Sequence, residues 1–342
     1  MSIKVAINGF GRIGRAAFKA ALENKNAEVV GINDLMDNKT LAHLLKYDTV
    51  YGEYERPVRG TAEGIYVGSQ TFPIFAVREP EKLPWKKLEV DVVLECTGIF
   101  RTKAEASGHL KAGAKRVIIS APAKDGTQTL VFGTKFSEEC LAKKKCETVV
   151  SNASCTTNCI SPVMQVLESK FGVEKAFMTT VHSYTADQNL VDGPHKDLRR
   201  ARAAGQNIVP TTTGAALATG KVVPALEKSF DGISIRVPTV CVSISDITAV
   251  LKRKLVTAKQ INDEFKKATR LPLYKKVLAV TNKPLVSSDF IKNPYSAIVD
   301  LEFTRVVGGN LVKVLAWYDN EWAYALRLVE MAIAVGQQVY RK

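Results

Sequence analysis

The sequence lacks the marks of several large protein classes. No apolar run approaches the roughly 18 residues that span a bilayer, so no membrane partner is expected. Cysteine is sparse, with six in 342 residues. No pair among Cys96, Cys140, Cys146, Cys155, Cys159 and Cys241 has the CxxC spacing of a zinc site. That argues against a disulfide framework and against a structural metal, so no metal is expected. The opening MSIKVAINGFGR lacks the charged, apolar and small-residue order of a secretory signal. The expected compartment is the cytoplasm, where thiols stay reduced and at least one is available as a nucleophile.

What is present is a chain large enough for two domains, 46% hydrophobic and 24% charged. The formal net charge is +14. Its basic groups, such as Lys143-Lys144-Lys145, Lys252-Arg253-Lys254 and Lys275-Lys276, are short and scattered, with no interleaved aromatics. They read as solvated surface rather than the footprint of a dedicated nucleic-acid partner. Attraction of small anions is the lesser alternative.

Ile3 to Ile7 form an apolar run of the kind that becomes a buried parallel strand. It leads into Gly9-Phe10-Gly11-Arg12-Ile13-Gly14, a helix-like AAFKAALEN, and a second run, Val29 to Ile32, that ends at Asn33-Asp34. In such a unit the first glycine permits the tight turn and the second lets backbone approach a pyrophosphate. The third allows close helix-to-strand packing, and the helix start supplies N–H donors. Asp34 is placed to accept from an adenosine ribose and to repel a 2′-phosphate, which favours NAD. Residues 92–98 and 116–120 continue the strand pattern around a helix-like stretch from Thr102 to Ala112. Thr97 and Ser120, at strand ends, are expected near the nicotinamide or its ribose, with capping as the plainer alternative. Antiparallel strands are expected between Arg56 and Val77. Arg78, which follows them, either reaches the adenine end of the cofactor or is surface.

Small cap-forming residues, SNAS, precede Cys155, and Ile160, Val163, Met164 and Leu167 recur at helical spacing. Cys155 is therefore predicted in the first turn of a helix. There the helix dipole lowers a thiol's pKa, and backbone N–H groups face a developing oxyanion. Cys159, one turn on, is expected to pack. Cys96 and Cys241 read as core residues in strand-like runs, and Cys140 and Cys146, flanking a lysine-rich segment, suggest no chemistry. Of the four histidines, His182 closes the strand-like run Ala176 to Val181 and is the best partner for the thiol.

INGFGRIGR, SNASCTTNC, VHSYTADQ, DLRRAR, PTTTGAA, RVPT and WYDNEW occur in an order and spacing that resemble the phosphorylating, NAD-dependent glyceraldehyde-3-phosphate dehydrogenase family of bacterial type, over essentially the whole chain. The resemblance implies an α/β protein. A Rossmann-type doubly wound parallel sheet domain, residues 1–153 completed by a C-terminal helix at 320–342, precedes an α+β catalytic domain at 154–319 with a mixed or antiparallel sheet. It implies Cys155 as nucleophile and His182 as base, passing through a hemithioacetal and a thioester that inorganic phosphate cleaves to 1,3-bisphosphoglycerate. Glyceraldehyde 3-phosphate and phosphate are the implied small-molecule partners. Thr185 and Arg236 match the site for the substrate's C3 phosphate, with Asp187 nearby. Ser154, Thr156, Arg200, Thr213 and Gly214 match the site for the attacking phosphate, and the choice of Arg200 over Arg199 or Arg202 rests on the resemblance alone. Asn8, Gly9, Arg12, Ile13 and Asp34 match the NAD loop together with Gly11 and Gly14, and Arg78 and Ser120 match further contacts. Asn320 resembles the residue that holds the nicotinamide carboxamide, with Tyr324 beside the ring. Leu35 and Pro194 resemble the NAD-preferring form, and a loop near 183–207 that reaches a neighbouring subunit implies a homotetramer.

Ala186, Cys241, Ala323 and Ala325-Leu326 depart from the family's usual residues without removing a proposed catalytic group. Two rival functions share the fold: erythrose-4-phosphate dehydrogenase and a catalytically silent NAD-binding scaffold. The presence of TTGAA and Thr185 weighs against the first, and the intact Cys155, His182 and Arg236 against the second.

Overall fold

The computed structural model describes Ser2 to Tyr340. The chain divides into two compact units. Among the described residues, the first comprises Ser2–Leu130, Cys140–Ala153 and Tyr324–Tyr340; the second comprises Val131–Glu139 and Ser154–Ala323.

The first unit is built on an eight-stranded sheet. Its order is Val149–Ser151, Arg116–Ile119, Val92–Glu95, Ile3–Asn8, Ala27–Asn33, Gln70–Phe75, Gly64–Val67 and Val58–Thr61. The strands are parallel through Gln70–Phe75, and the last two pairings are antiparallel. Val92–Glu95 is buried at every position, as a strand with both faces covered must be. A core of Leu83, Trp85, Val90, Val93, Val117 and Val149 packs there. The run expected as one helix from Thr102 to Ala112 is two, Lys103–Ala106 and Gly108–Lys111, with Ser107 ending one and starting the other. Cys96 lies past the end of Val92–Glu95 and is partly exposed rather than a core residue, whereas Cys241 is in the core as expected, 2% exposed, though outside any strand.

The second unit carries a seven-stranded mixed sheet in the order Val209–Thr212, Phe230–Val237, Val173–Ser183, Ser243–Leu251, Leu311–Tyr318, Ala297–Val307 and Leu278–Thr281. Two of its pairings are parallel and four antiparallel. Ser243–Leu251 alternates buried and half-buried residues, the period-two signature of a strand with one face on the core. Helix Cys155–Phe171 is buried along most of its length, consistent with its run of apolar and small side chains.

Two segments group differently from the sequence expectation. Residues 131–139 belong to the second unit, where Lys135 N–H donates to Gln165 Oε1 at 3.1 Å on helix Cys155–Phe171. Residues 320–323 also stay with the second unit. Asp319 Oδ1 accepts from Glu321 N–H and Trp322 N–H, each at 2.9 Å, and so ties the start of helix Trp322–Tyr340 to the strand before it.

Candidate active site

In the first unit, the turn after Ile3–Asn8 is shaped by glycine. Gly9 has φ +92, and a Cβ there would lie 2.7 Å from Thr97 N. A Cβ on Gly14 would lie 2.0 Å from the Gly9 carbonyl oxygen, so only glycine lets the helix seat against the turn. A Cβ on Gly11 would meet nothing within 4 Å, so this backbone faces open space. Gly11 also caps helix Arg12–Leu22 without a side-chain hydrogen bond, and the helix has no acidic residue in its first turn. A helix start with no competing acceptor and an open backbone approach fits a pyrophosphate.

A cavity of ≈ 800 Å³ opens there, lined among others by Asn8, Gly9, Gly11, Asp34, Leu35 and Arg78. Asp34 is braced for its expected role: its carboxylate accepts from Phe10 N–H at 2.7 Å and Met36 N–H at 3.0 Å. The Arg12 guanidinium pairs with Asp48 at 2.6 Å. Arg12, Ile13, Gly14 and Ser120 are not among the lining residues, and Ser120 N–H donates to the Glu95 carbonyl at 2.9 Å.

Beneath the loop lies a buried polar network with no counterpart in the sequence expectations. Glu95, 1% exposed, accepts from Asn8 Nδ2 at 2.5 Å and from Thr97 N–H at 2.8 Å, and also from the Thr97 hydroxyl. Trp85 Nε1–H donates to His109 Nδ1 at 3.0 Å, which leaves Nε2 as the protonated nitrogen, 3.0 Å from Glu95 Oε2. Asn33 Nδ2 donates to Asn8 Oδ1 at 2.7 Å. Four donors therefore converge on one buried carboxylate and fix both Asn8 and Thr97 at the cavity wall.

In the second unit, Ser154 caps helix Cys155–Phe171 by accepting from Thr157 N–H at 3.0 Å. Ala153, the residue before it, holds φ +55, a conformation a non-glycine residue adopts only under constraint. Cys155 is thus the first helical residue, as expected. Its Sγ is 3.5 Å from His182 Nε2. His182 Nδ1–H donates to the Ser183 carbonyl at 2.7 Å, which fixes the tautomer with Nε2 free to accept.

The first-turn N–H groups pull the Cys155 thiol down as the sequence reading expects, but they do not decide its net direction. Burial raises it, against the opposing pull of Arg236 and of hydrogen bonds from Thr156. Burial, with Arg236 adding to it, also pushes the His182 imidazole down to about 3. Burial thus favours the neutral form of both groups, and the Sγ–Nε2 contact is the route by which a proton can pass between them.

Arg236 Nη1 donates to Thr185 Oγ1 at 3.0 Å, while its buried Nε has no partner. Burial and the neighbouring Arg200 hold its pKa below the usual guanidinium range. Arg200 is built in, with Nε on Thr211 Oγ1 at 2.9 Å, Nη2 on the Thr212 carbonyl at 3.1 Å, and Nη1 on Asp187. Gly214 caps helix Ala215–Val222 with no side-chain bond, and Thr213 Oγ1 accepts from Ala215 N–H at 3.2 Å. The Thr156 hydroxyl sits 2.9 Å from Tyr318 Oη rather than standing clear, and Thr180 Oγ1 meets the same Tyr318 Oη at 2.8 Å. Tyr318 also packs edge-on against the His182 ring, 6.0 Å away. This tyrosine was visible within WYDNEW but carried no assigned role. Asn320 Oδ1 accepts from Ser183 Oγ at 3.0 Å and Ser243 Oγ at 3.2 Å, which assigns its nitrogen as the donor end of the amide. Cys241 lies against Asp319 at 3.4 Å. Tyr324, in the first unit, donates to the Ala153 carbonyl at 3.0 Å.

A dinucleotide cradle and a helix-terminal thiol facing a fixed imidazole place the chain among the NAD-dependent oxidoreductases. Residues 3–103 match the family model for the glyceraldehyde 3-phosphate dehydrogenase NAD binding domain, and residues 154–320 that for its C-terminal domain. The chain is 49% identical to glyceraldehyde-3-phosphate dehydrogenase 2 of Streptomyces avermitilis, over 99% of this chain and 100% of the relative. It is 47% identical to the Geobacillus stearothermophilus glyceraldehyde-3-phosphate dehydrogenase, over 99% of each. It is 46% identical to glyceraldehyde-3-phosphate dehydrogenase 2 of Bacillus subtilis, over 97% of this chain and 96% of the relative. The chain belongs to the glyceraldehyde-3-phosphate dehydrogenase family.

Proposed function

We propose that the protein oxidises D-glyceraldehyde 3-phosphate with NAD and inorganic phosphate to 1,3-bisphosphoglycerate, with Cys155 as nucleophile and His182 as base. The observation that carries the roles is the 3.5 Å approach of Cys155 Sγ to an imidazole whose other nitrogen is fixed on a backbone carbonyl. As Sγ adds to the aldehyde carbon, its proton passes to Nε2 and the new oxyanion faces the N–H groups of the first helical turn. His182 passes that proton to the oxyanion to give the hemithioacetal hydroxyl, takes it back as the carbon is oxidised, and then releases it to water. NAD, when bound, supplies the hydride acceptor. The resulting thioester stays attached to Sγ until a phosphate oxygen attacks the acyl carbon and the sulfur leaves. Retaining the acyl group on sulfur keeps group-transfer energy that hydrolysis dissipates.

The C3 phosphate is assigned to Arg236 and Thr185, where the unpartnered Nε offers a further donor. The attacking phosphate is assigned to Ser154, Thr156, Arg200, Thr213 and Gly214; Thr156 takes part there only if its hydroxyl leaves Tyr318. Asn8, Gly9, Gly11, Arg12, Ile13, Gly14, Asp34, Arg78 and Ser120 are assigned to NAD, and Asn320 to its carboxamide. Among the described residues no helix is long and apolar enough to cross a membrane. The cytoplasm is the proposed compartment, on the sparse cysteines. A homotetramer is supported by the exposed Leu190, Val191, Leu198 and Ile208 on the long connection between Val173–Ser183 and Val209–Thr212.

The test is NADH formation from the triose phosphate with and without phosphate or arsenate, with Cys155→Ala and erythrose 4-phosphate in parallel. Turnover that needs phosphate and Cys155 and prefers the triose is the expected result. Phosphate-independent turnover on the tetrose moves the assignment to the erythrose-4-phosphate enzyme, and NAD binding without turnover moves it to a silent scaffold.

A further inference from the structure

Two thiols lie outside everything assigned above. Cys140 and Cys146 sit at either end of a lysine turn, and nothing in that spacing by itself suggests chemistry. The fold brings them together. Past helix Lys135–Ala142 the chain reverses, with Lys145 N–H on the Cys140 carbonyl at 3.0 Å and Lys144 at φ +53. The reversal places the two Sγ atoms 3.4 Å apart. Both side chains are buried, 8% and 7% exposed. Each sulfur also accepts from a primary amide: Gln128 Nε2 donates to Cys140 Sγ at 3.2 Å, and Gln338 Nε2 to Cys146 Sγ at 3.3 Å. These amides hold the sulfurs face to face and stabilise negative charge on them.

We propose that Cys140 and Cys146 are a two-electron redox modification site, a dithiol that a small hydroperoxide converts to an intramolecular disulfide. The thiolate of one cysteine attacks the peroxide's terminal oxygen and breaks the O–O bond. It becomes a sulfenic acid and releases an alcohol, or water when the oxidant is hydrogen peroxide. The second sulfur attacks the first, its proton leaves with the displaced hydroxide as water, and the S–S bond forms. Two thiols lose two electrons, and the O–O bond takes them up. The sulfurs close from 3.4 Å to about 2.0 Å, a movement within reach of side-chain rotation in the turn. Burial fixes which oxidants work, because it excludes bulky disulfides and admits peroxides. Burial also pushes the Cys140 thiol up to about 11, so the site oxidises more slowly than an accessible thiolate.

The lysines between the two cysteines make the test direct. Trypsin cuts after Lys143, Lys144 and Lys145, which puts Cys140 in peptide 136–143 and Cys146 in peptide 146–170, together with Cys155 and Cys159. The full-length protein with NAD bound is exposed to hydrogen peroxide, quenched, alkylated, digested and analysed by mass spectrometry. The expected result is a joined pair of peptides that dithiothreitol separates and that is absent from Cys140→Ser and Cys146→Ser. Fragment ions of the wild-type pair should place the bond at Cys146, which keeps the test informative should either variant fold poorly. Full alkylation of both cysteines after peroxide, or sulfinic acid on either without a joined pair, overturns the proposal. Persistence of the joined pair in Cys146→Ser also overturns it, because the bond then involves Cys155 or Cys159. Neither cysteine belongs to the proposed catalytic machinery, so both reduced variants should turn over like wild type.

Discussion

At the scale of single residues, the decisive contact is between Cys155 and His182, because burial holds each neutral alone. Removing the imidazole leaves the buried thiol without a base within reach of its proton. In His182→Asn, alkylation of Cys155 by iodoacetamide should therefore slow at neutral pH and its profile move to higher pH. The kcat should fall by about 10²–10⁴-fold, the usual worth of a positioned acid or base. An unchanged alkylation profile contradicts the pairing. The same depressed imidazole links stability to pH. His182 is neutral in the fold and titrates near its ordinary value when unfolded, so its contribution is present above about 6.5 and is lost as pH falls toward about 3. Glu95 is the other residue with a defined task, as a positioning residue that acts through Asn8 and Thr97. Glu95→Gln puts an amide where the His109 and Asn8 donors point, at a cost of about 1–3 kcal/mol for an unmet buried group. The KM for NAD should rise about tenfold, the equivalent of 1.4 kcal/mol, while kcat for bound substrate changes little. A fall in kcat with unchanged KM contradicts that role.

At the scale of elements, the sequence was most legible where local chemistry alone decides the structure. The strand–glycine turn–helix unit at the N-terminus and the cap before Cys155 could be read because each depends on neighbours in the chain. Gly14→Ala tests that unit: its Cβ would meet the Gly9 carbonyl at 2.0 Å, and such overpacking costs about 1–3 kcal/mol. The expected result is a lower Tm together with weakened NAD binding, read by thermal melts with and without NAD. Equal NAD-induced stabilisation in variant and wild type contradicts the turn's role in holding the pyrophosphate. Contacts between distant segments were not legible. Trp85, Glu95 and His109 look like ordinary core and helix residues until topology places them under Asn8. Tyr318 likewise stands 138 positions from Thr180, whose hydroxyl it meets. The thiol's environment follows the same rule: the helix start is local, but the burial that opposes it comes from the whole unit. Cys140 and Cys146 were passed over because a six-residue spacing does not reveal that the turn folds their sulfurs together.

At the scale of the molecule, family membership, two sheet-based units and a basic surface combine with apolar side chains left exposed. Leu198, 80% exposed, and Ile208, 71% exposed, flank a loop pinned internally by Arg200, Asp187 and Asp192. A loop so ordered yet so apolar on its outer face fits a subunit contact. For the proposed homotetramer, Leu198→Asp should give smaller species in light scattering, and an unchanged mass contradicts a contact at this loop. The central claim, however, is chemical: oxidation proceeds through an acyl group carried on Cys155. Its most direct test is mass spectrometry of the peptide bearing Cys155 after mixing protein, NAD and glyceraldehyde 3-phosphate without phosphate. The account predicts one acyl adduct on Cys155 for each NADH released in a burst, and its disappearance when phosphate is added. NADH release with Cys155 unmodified, or an adduct that phosphate does not remove, would contradict it.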